Sequence, residues 1–238
     1  MYRDLIAVTN RHLCSRPFTE QITRVCKLHP KALILREKDL PEEEYFSLAR
    51  QVKEICEQFK VPFIPHFYPA VARELGCDRL HLPLPLLLEN PKVVSDFHTV
   101  GTSIHSVSEA VKAEKLGASY LTAGHIYVTD CKKGLPPRGL PFLQNVCQAV
   151  QIPVYGIGGI KIFISARTQQ VPGKASLTAP RTRLFNSSKD SPLRSSPIYS
   201  GLMFSPGILH SFLIGFIYIR DTIPQFGIGL FELAGNLL

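Results

Sequence analysis

Seven short apolar runs, separated by segments with helical spacing, constrain this chain more than any other feature. The runs are LIAVT (5–9), KALILREK (31–38), VPFIPHF (61–67), RLHLPL (79–84), TVGTSIHS (99–106), ASYLTAGHIY (118–127) and IPVYGIGGI (152–160). Their apolar character is nearly continuous, the mark of strands buried on both faces. Between them, residues 18–28 place Ile22, Val25 and Cys26 on one helical face. Residues 40–59 begin with Pro41 and a run of acids and carry Phe46, Leu48, Val52 and Ile55 at helical spacing. Further helices are expected over 69–76, 107–116 and 140–150, with Gly117 closing the second of these.

Strands that alternate with helices predict a parallel sheet. The polar residues gather at the C-terminal ends of the strands: Arg36-Glu37-Lys38, His66, Ser103 and His105, His125, and Gly156, Gly158 and Gly159. A (β/α)8 barrel keeps its active site on that face, whereas an open doubly wound sheet needs no polar group at nearly every strand end. The expected fold is therefore α/β, a (β/α)8 TIM barrel, over residues 1–160. After Ile160 a helix and an eighth strand are due, and the pattern stops. Residues 161–199 are rich in Ser, Thr, Pro, Lys and Arg without a sustained period, and read as a disordered basic linker. The apolar tail 200–238 contains GLMFSPGILHSFLIGFIYI (201–219), readable as a short membrane segment interrupted by Pro206 and His210, or as a makeshift strand or helix covering an open barrel. The barrel is thus expected to be incomplete after strand seven, with an atypical C-terminal tail.

Composition narrows the classes of function. A hydrophobic share of 45% and a charged share of 19% support a packed core. The net charge of +8 is uneven: residues 161–238 carry eight Lys/Arg against Asp190, Asp221 and Glu232. The first 160 residues are only mildly basic, without the clustered cations of a nucleic-acid surface, so no nucleic-acid partner is expected. The six cysteines include no C-x-x-C pair, and MYRDLIAVTN enters a strand directly without a signal peptide. Both point to reduced thiols in a cytoplasmic protein.

Three constellations carry chemistry. Arg36 and Lys38 lie two apart on a strand, hence on one face, and two cations inside a barrel require an anion such as a phosphate or carboxylate. The competing reading is an internal ion pair with Glu37 or another acid, although Glu37 faces the other way. In GHIYVTDCKKG (124–134), His125 sits at the active end of a strand as a candidate general acid/base. Lys132 there is placed to hold a phosphate, with hydroxyl help from Thr129. The glycines of VYGIGGI can expose backbone N–H groups to an anion, as loops after late barrel strands do.

AVTN (7–10), LREK (35–38), GTSIHSVSEAVKAEKLGASYL (101–121), AGHIYVTDCKKGLPPRG (123–139) and PVYGIGGI (153–160) together resemble the thiamine phosphate synthase/TenI superfamily in order and spacing. The resemblance covers about residues 1–160, and its long GH…TDCKKG…RG stretch is similar to the TenI branch of thiazole tautomerases. It implies a thiamine-biosynthesis enzyme with a small-molecule thiazole phosphate as substrate. His125 matches the family's catalytic histidine; Arg36, Lys38, Ser103 and Lys132 match positions facing the ligand's anionic groups; Gly158 and Gly159 match half of a phosphate cradle. The synthase branch joins an aminopyrimidine diphosphate to a thiazole phosphate. It uses a Gln two residues before the Arg, where this chain has Ile34, and Asn-Asp and Asp positions after strands three and four that bind Mg²⁺. Here those strands end in IPHF and HLPLPL, without a carboxylate.

The expectation is accordingly an isomerase, a tautomerase in which His125 moves the proton, with no cofactor and no metal. The alternatives are a thiamine phosphate synthase, needing Mg²⁺, or an inactive barrel truncated or frameshifted after residue 160. Membrane association through 201–219 is the remaining partner possibility, and oligomeric state is left open.

Overall fold

Apolar strand runs too short to span more than one layer must bury both faces, and a barrel does this by setting its own interior against one face and a ring of helices against the other. The computed structural model describes residues 4–129, 132, 134–160 and 214–218. Its strands are β1 (Leu5–Val8), β2 (Ala32–Leu35), β3 (Phe63–Pro65), β4 (Arg79–Pro83), β5 (Thr99–Ile104), β6 (Tyr120–Gly124), β7 (Val154–Ile157) and β8 (Ile214–Tyr218). The helices are α1 (Phe18–Cys26), α2 (Glu42–Gln58), α3 (Pro69–Glu74), α4 (Leu84–Glu89), α5 (Val107–Lys115) and α6 (Gly139–Ala149). α4 is absent from the sequence reading, because LPLLLE offers an unbroken apolar run rather than a period.

β1 to β7 run parallel, as expected, in two ladders, β1–β2–β3 and β4–β5–β6–β7. A single parallel bridge, His66 to His81, joins β3 to β4, with the Phe67 N–H donating to the His81 carbonyl at 3.1 Å. Among the described residues the next strand after β7 is β8, which lies between β7 and β1 and runs antiparallel to both. Ile217 lies opposite Leu5 on one side and Gly156 on the other. Within 201–219 the structure therefore shows a strand over 214–218. Among the described residues no helix is long and apolar enough to cross a membrane. The linker expected at 161–199 lies outside the described residues, as does the tail 200–238 apart from β8.

Side chains sort cleanly by face. Ile6, Val8, Ala32, Ile34, Ile64, Tyr120 and Tyr155 fill the barrel interior. Ala7, Leu33 and Leu35 point outward against α1 and α2, and Leu80, Leu82, Leu121 and Ala123 against the helices of the other half. Each such leucine contributes about 2 kcal/mol by leaving water. Gly101 makes room for an interior ring: a Cβ there would meet Tyr120 Cζ at 2.0 Å. α1 buries Ile22, Val25 and Cys26, as its spacing predicts. α2 is rotated from its expected face. Tyr45, Ala49, Val52 and Cys56 are its buried line, and Phe46, Leu48 and Ile55 flank it. Tyr45 decides the rotation, because its hydroxyl donates to the Leu35 carbonyl and accepts from the His66 N–H, each at 2.8 Å.

Candidate anion-binding site

The alternation that puts Ala32 and Ile34 inside the barrel carries on just past the end of β2, so half-buried Arg36 follows them and Glu37 turns outward, while Lys38 is exposed in the turn that comes next. Glu37 is fully engaged there. Its carboxylate accepts from Thr9 Oγ1 at 2.6 Å, the Arg11 N–H at 3.0 Å and the Arg11 guanidinium at 3.1 Å, with 1% of its side chain exposed. Arg11 also forks onto Asp39 at 2.8 and 2.6 Å. With His12 beside it as well, Asp39 is held well below the usual carboxylate range. The internal pairing of Glu37 with Arg36 or Lys38, weighed from the sequence, does not occur. Among the described residues neither cation has an acidic partner.

Beside these cations lies a buried polar network at the β3–β4 seam. His66 and His81 stack with ring centroids 5.7 Å apart. His81 holds Tyr120 Oη through Nδ1 and Ser103 Oγ through Nε2, both at 2.9 Å, and Thr122 Oγ1 donates to Ser103 Oγ at 2.9 Å. Burial and then Arg36 push His81 down to about 3. His66 is likewise held well below the ordinary histidine value, by burial first, then by His81, Arg36 and Lys38. Both rings are neutral at physiological pH. His66 Nδ1 is buried without a hydrogen-bond partner. The sequence places His66 at the active face but assigns it no role, and offers no reading of His81 or Tyr120; the usable signal for His66 is that it shares the interior face of β3 with Ile64.

The other half of the mouth is built differently. His125, 9% exposed, directs Nε2 to the Leu135 carbonyl at 3.3 Å. The loop is stitched to the end of β6: Arg138 Nε donates to the Gly124 carbonyl at 3.1 Å, and the Arg138 and Gly139 amides donate to the His125 and Ile126 carbonyls at 3.0 Å. His105 Nδ1 lies 2.8 Å from the same Gly124 oxygen. Gly158 and Gly159 have φ of +91° and +68°, and Cβ atoms there would lie 2.4 Å from His125 Cβ and from the Tyr127 carbonyl group. Lys132 is exposed, and its N–H donates to the Thr129 carbonyl at 3.0 Å. Asp130, Cys131 and Lys133 lie outside the described residues. The structure thus gathers Arg36, Lys38 and Ser103 around the His66–His81 pair, and places His125, Thr129, Lys132, Gly158 and Gly159 on the β6–β7 side.

Mg²⁺ is the metal that the synthase resemblance implies, and it demands hard oxygen ligands. Where these would be needed, the ends of β3 and β4 present imidazoles, and both ring nitrogens of His81 are already bonded. The nearby acids Glu37, Asp39 and Glu109 are occupied by Arg11, by Arg11 and His12, and by the His105 N–H. Among the described residues no three His, Cys, Asp or Glu side chains converge. The described donor set does not fit Mg²⁺.

Comparison with known proteins gives a consistent relationship. A sequence profile of the family described as thiamine monophosphate synthase (TMP-TENI) matches residues 5–169. Thiamine-phosphate synthase 2 of Streptococcus pneumoniae is 35% identical over 160 residues, covering 66% of this chain and 76% of that protein. Thiamine-phosphate synthase of Clostridium acetobutylicum is 34% identical over 160 residues, covering 66% and 75%. The solved structure of thiamine phosphate pyrophosphorylase from Pyrococcus furiosus superposes with a TM-score of 0.54 at 26% identity, covering 66% of this chain and 75% of that one. These relatives overturn the expectation of a thiazole tautomerase: they carry the name of a synthase, a transferase rather than an isomerase. The stretch that suggested the TenI branch, GH…TDCKKG…RG, supplies the contacts that tie loop to strand, so it reports a shared local structure more than a reaction. The chain belongs to the thiamine monophosphate synthase family.

Proposed function

We propose that this chain makes thiamine phosphate, the product in its relatives' names, by joining an aminopyrimidine diphosphate to a thiazole phosphate, the synthase reaction that the family resemblance implies. In that reaction the thiazole nitrogen bonds to the methylene carbon of the pyrimidine, and the carbon–oxygen bond to diphosphate breaks. The bonding pair leaves with the diphosphate oxygen, where negative charge accumulates. Positive groups fixed at that point in advance accelerate such a step, because they need no reorganisation as the charge develops. One observation carries the reading: Arg36 and Lys38 stand just past the end of β2 with their neighbouring acid, Glu37, committed to Arg11.

The second anion, the thiazole phosphate, is assigned to the β6–β7 side. There Gly158 and Gly159 bring backbone close, and Lys132 and Thr129 stand on the adjoining loop. Ser103 bridges His81 and Thr122 between the two halves. The condensation moves no proton at a thiazole carbon, so His125 serves as a wall that holds the loop at Leu135. The test is product analysis: the full-length chain with both substrates should yield thiamine phosphate and diphosphate in equal amounts. A chain that melts cooperatively yet forms no thiamine phosphate contradicts the proposal.

A further inference from the structure

Two features of the β2–β4 mouth have no explanation in packing. Arg36 and Lys38 carry their charges without an acid among the described residues. His66, 4% exposed, keeps a buried Nδ1 with no partner. An unpartnered buried nitrogen costs about 1–3 kcal/mol and is rare in folded proteins, so its retention points to a partner that arrives from outside. His66 is held at both ends: its backbone N–H donates to Tyr45 Oη, and its ring stacks on His81, which is itself fixed by Tyr120 and Ser103. The groups facing it are His81, Arg36 and Lys38, and no carboxylate is among them. A neutral imidazole can present an N–H to an oxyanion. Imidazoles beside two cations offer nothing to Mg²⁺, which prefers carboxylate and water oxygens.

We propose that the site takes a diphosphate group directly, on Arg36, Lys38 and the neutral ring of His66, without a divalent cation. This rests on the transferase reading for the origin of the diphosphate, but its chemistry stands on the donor set alone. The two cations supply the countercharge that a metal would otherwise bring, and His66 supplies a directed hydrogen bond in a dry position, where such a bond is strongest.

The test is calorimetric titration of the full-length chain with inorganic pyrophosphate, once in EDTA and once in excess Mg²⁺. Binding is expected in EDTA, and it should weaken in Mg²⁺ because the metal sequesters free pyrophosphate. His66→Phe keeps the ring volume and removes the donor, and should weaken binding about tenfold, the worth of one hydrogen bond to a charged group. His66→Gln, which restores a donor, should recover most of the loss; a thermal melt of each variant separates lost binding from lost fold. Binding at least tenfold tighter in Mg²⁺, or affinity unchanged in a folded His66→Phe, overturns the inference. Thiamine phosphate formation on the same samples separates it from the proposed reaction. Product together with Mg²⁺-dependent pyrophosphate binding sinks the inference alone. Metal-free binding without product upholds the inference and sinks the reaction.

Discussion

Past the ends of β2 and β3, Arg36 and Lys38 have no acid against them among the described residues and His66 has a bare nitrogen, whereas at the ends of β6 and β7 the polar groups are bonded to one another. Arg138 stands for the second region: its guanidinium holds the Gly124 carbonyl and lies 5.6 Å from the Phe142 ring. Arg36 stands for the first, where no such partner is found among the described residues. The difference teaches where to look for chemistry. A cation already satisfied inside the fold gives shape, and a cation left unpaired in a barrel is available to substrate.

The largest effect should come from the packed side. Gly158→Ala adds a Cβ within 2.4 Å of His125 Cβ at a φ of +91°. Strain and overlap together should cost about 3–5 kcal/mol, read as a lower denaturant midpoint. Gly134→Ala is the control: its φ is +79° but nothing lies within 4 Å. It should cost only about 1 kcal/mol, the penalty of the backbone conformation alone. Equal losses at the two positions would show that β6 and β7 are not closely packed there.

Exchanging the two arginines sharpens the contrast. Arg36→Gln should lower pyrophosphate affinity roughly thirtyfold, about 2 kcal/mol, and leave the melting temperature nearly unchanged. Arg138→Gln should do the reverse, costing about 1–2 kcal/mol of stability with affinity within about twofold of the parent chain. Glu37→Gln belongs with Arg138. Its loss of the Thr9 and Arg11 bonds should destabilise by about 2 kcal/mol without weakening anion binding.

A smaller effect concerns pH. His66 and His81 are neutral when folded, and His81 is pushed down to about 3. In the unfolded chain a histidine titrates near 6.5. Above that pH neither state takes the proton. Below it the unfolded state binds a proton that the folded state refuses, so stability falls as pH drops below about 6.5, by about 1.4 kcal/mol per unit for each histidine that stays neutral, for His81 down to about 3. Urea midpoints at pH 7 and pH 5 should therefore converge in His81→Gln. A parent chain with equal midpoints at both values would contradict the buried neutral pair.

Much of the barrel is legible in the sequence because strand burial leaves an apolar run wherever both faces are covered. All seven parallel strands lie inside the runs read as strands. The face of α2 is less legible, since Phe46, Leu48 and Ile55 carry more apolar weight than Ala49, and only the two hydrogen bonds of Tyr45 reveal the true inward line. α4 leaves no period to read. The cations of β2 follow directly from alternation. The reaction does not, because GH…TDCKKG…RG reads as a tautomerase signature, whereas its arginine and last glycine hold a loop to a strand. His66 is legible as a polar residue at the end of β3 but not as a ligand, because its stacking on His81 and its bare Nδ1 depend on a neighbouring strand.

The central claim is that the unpaired cations of β2 hold the leaving diphosphate in a synthase reaction. The most direct measurement follows thiamine phosphate formation by the full-length chain and by Arg36→Gln under subsaturating substrate. The account predicts product from the parent chain and a kcat/KM at least tenfold lower in the variant, with both proteins equally folded. Equal rates in the two, or no product from a folded parent chain, would contradict it.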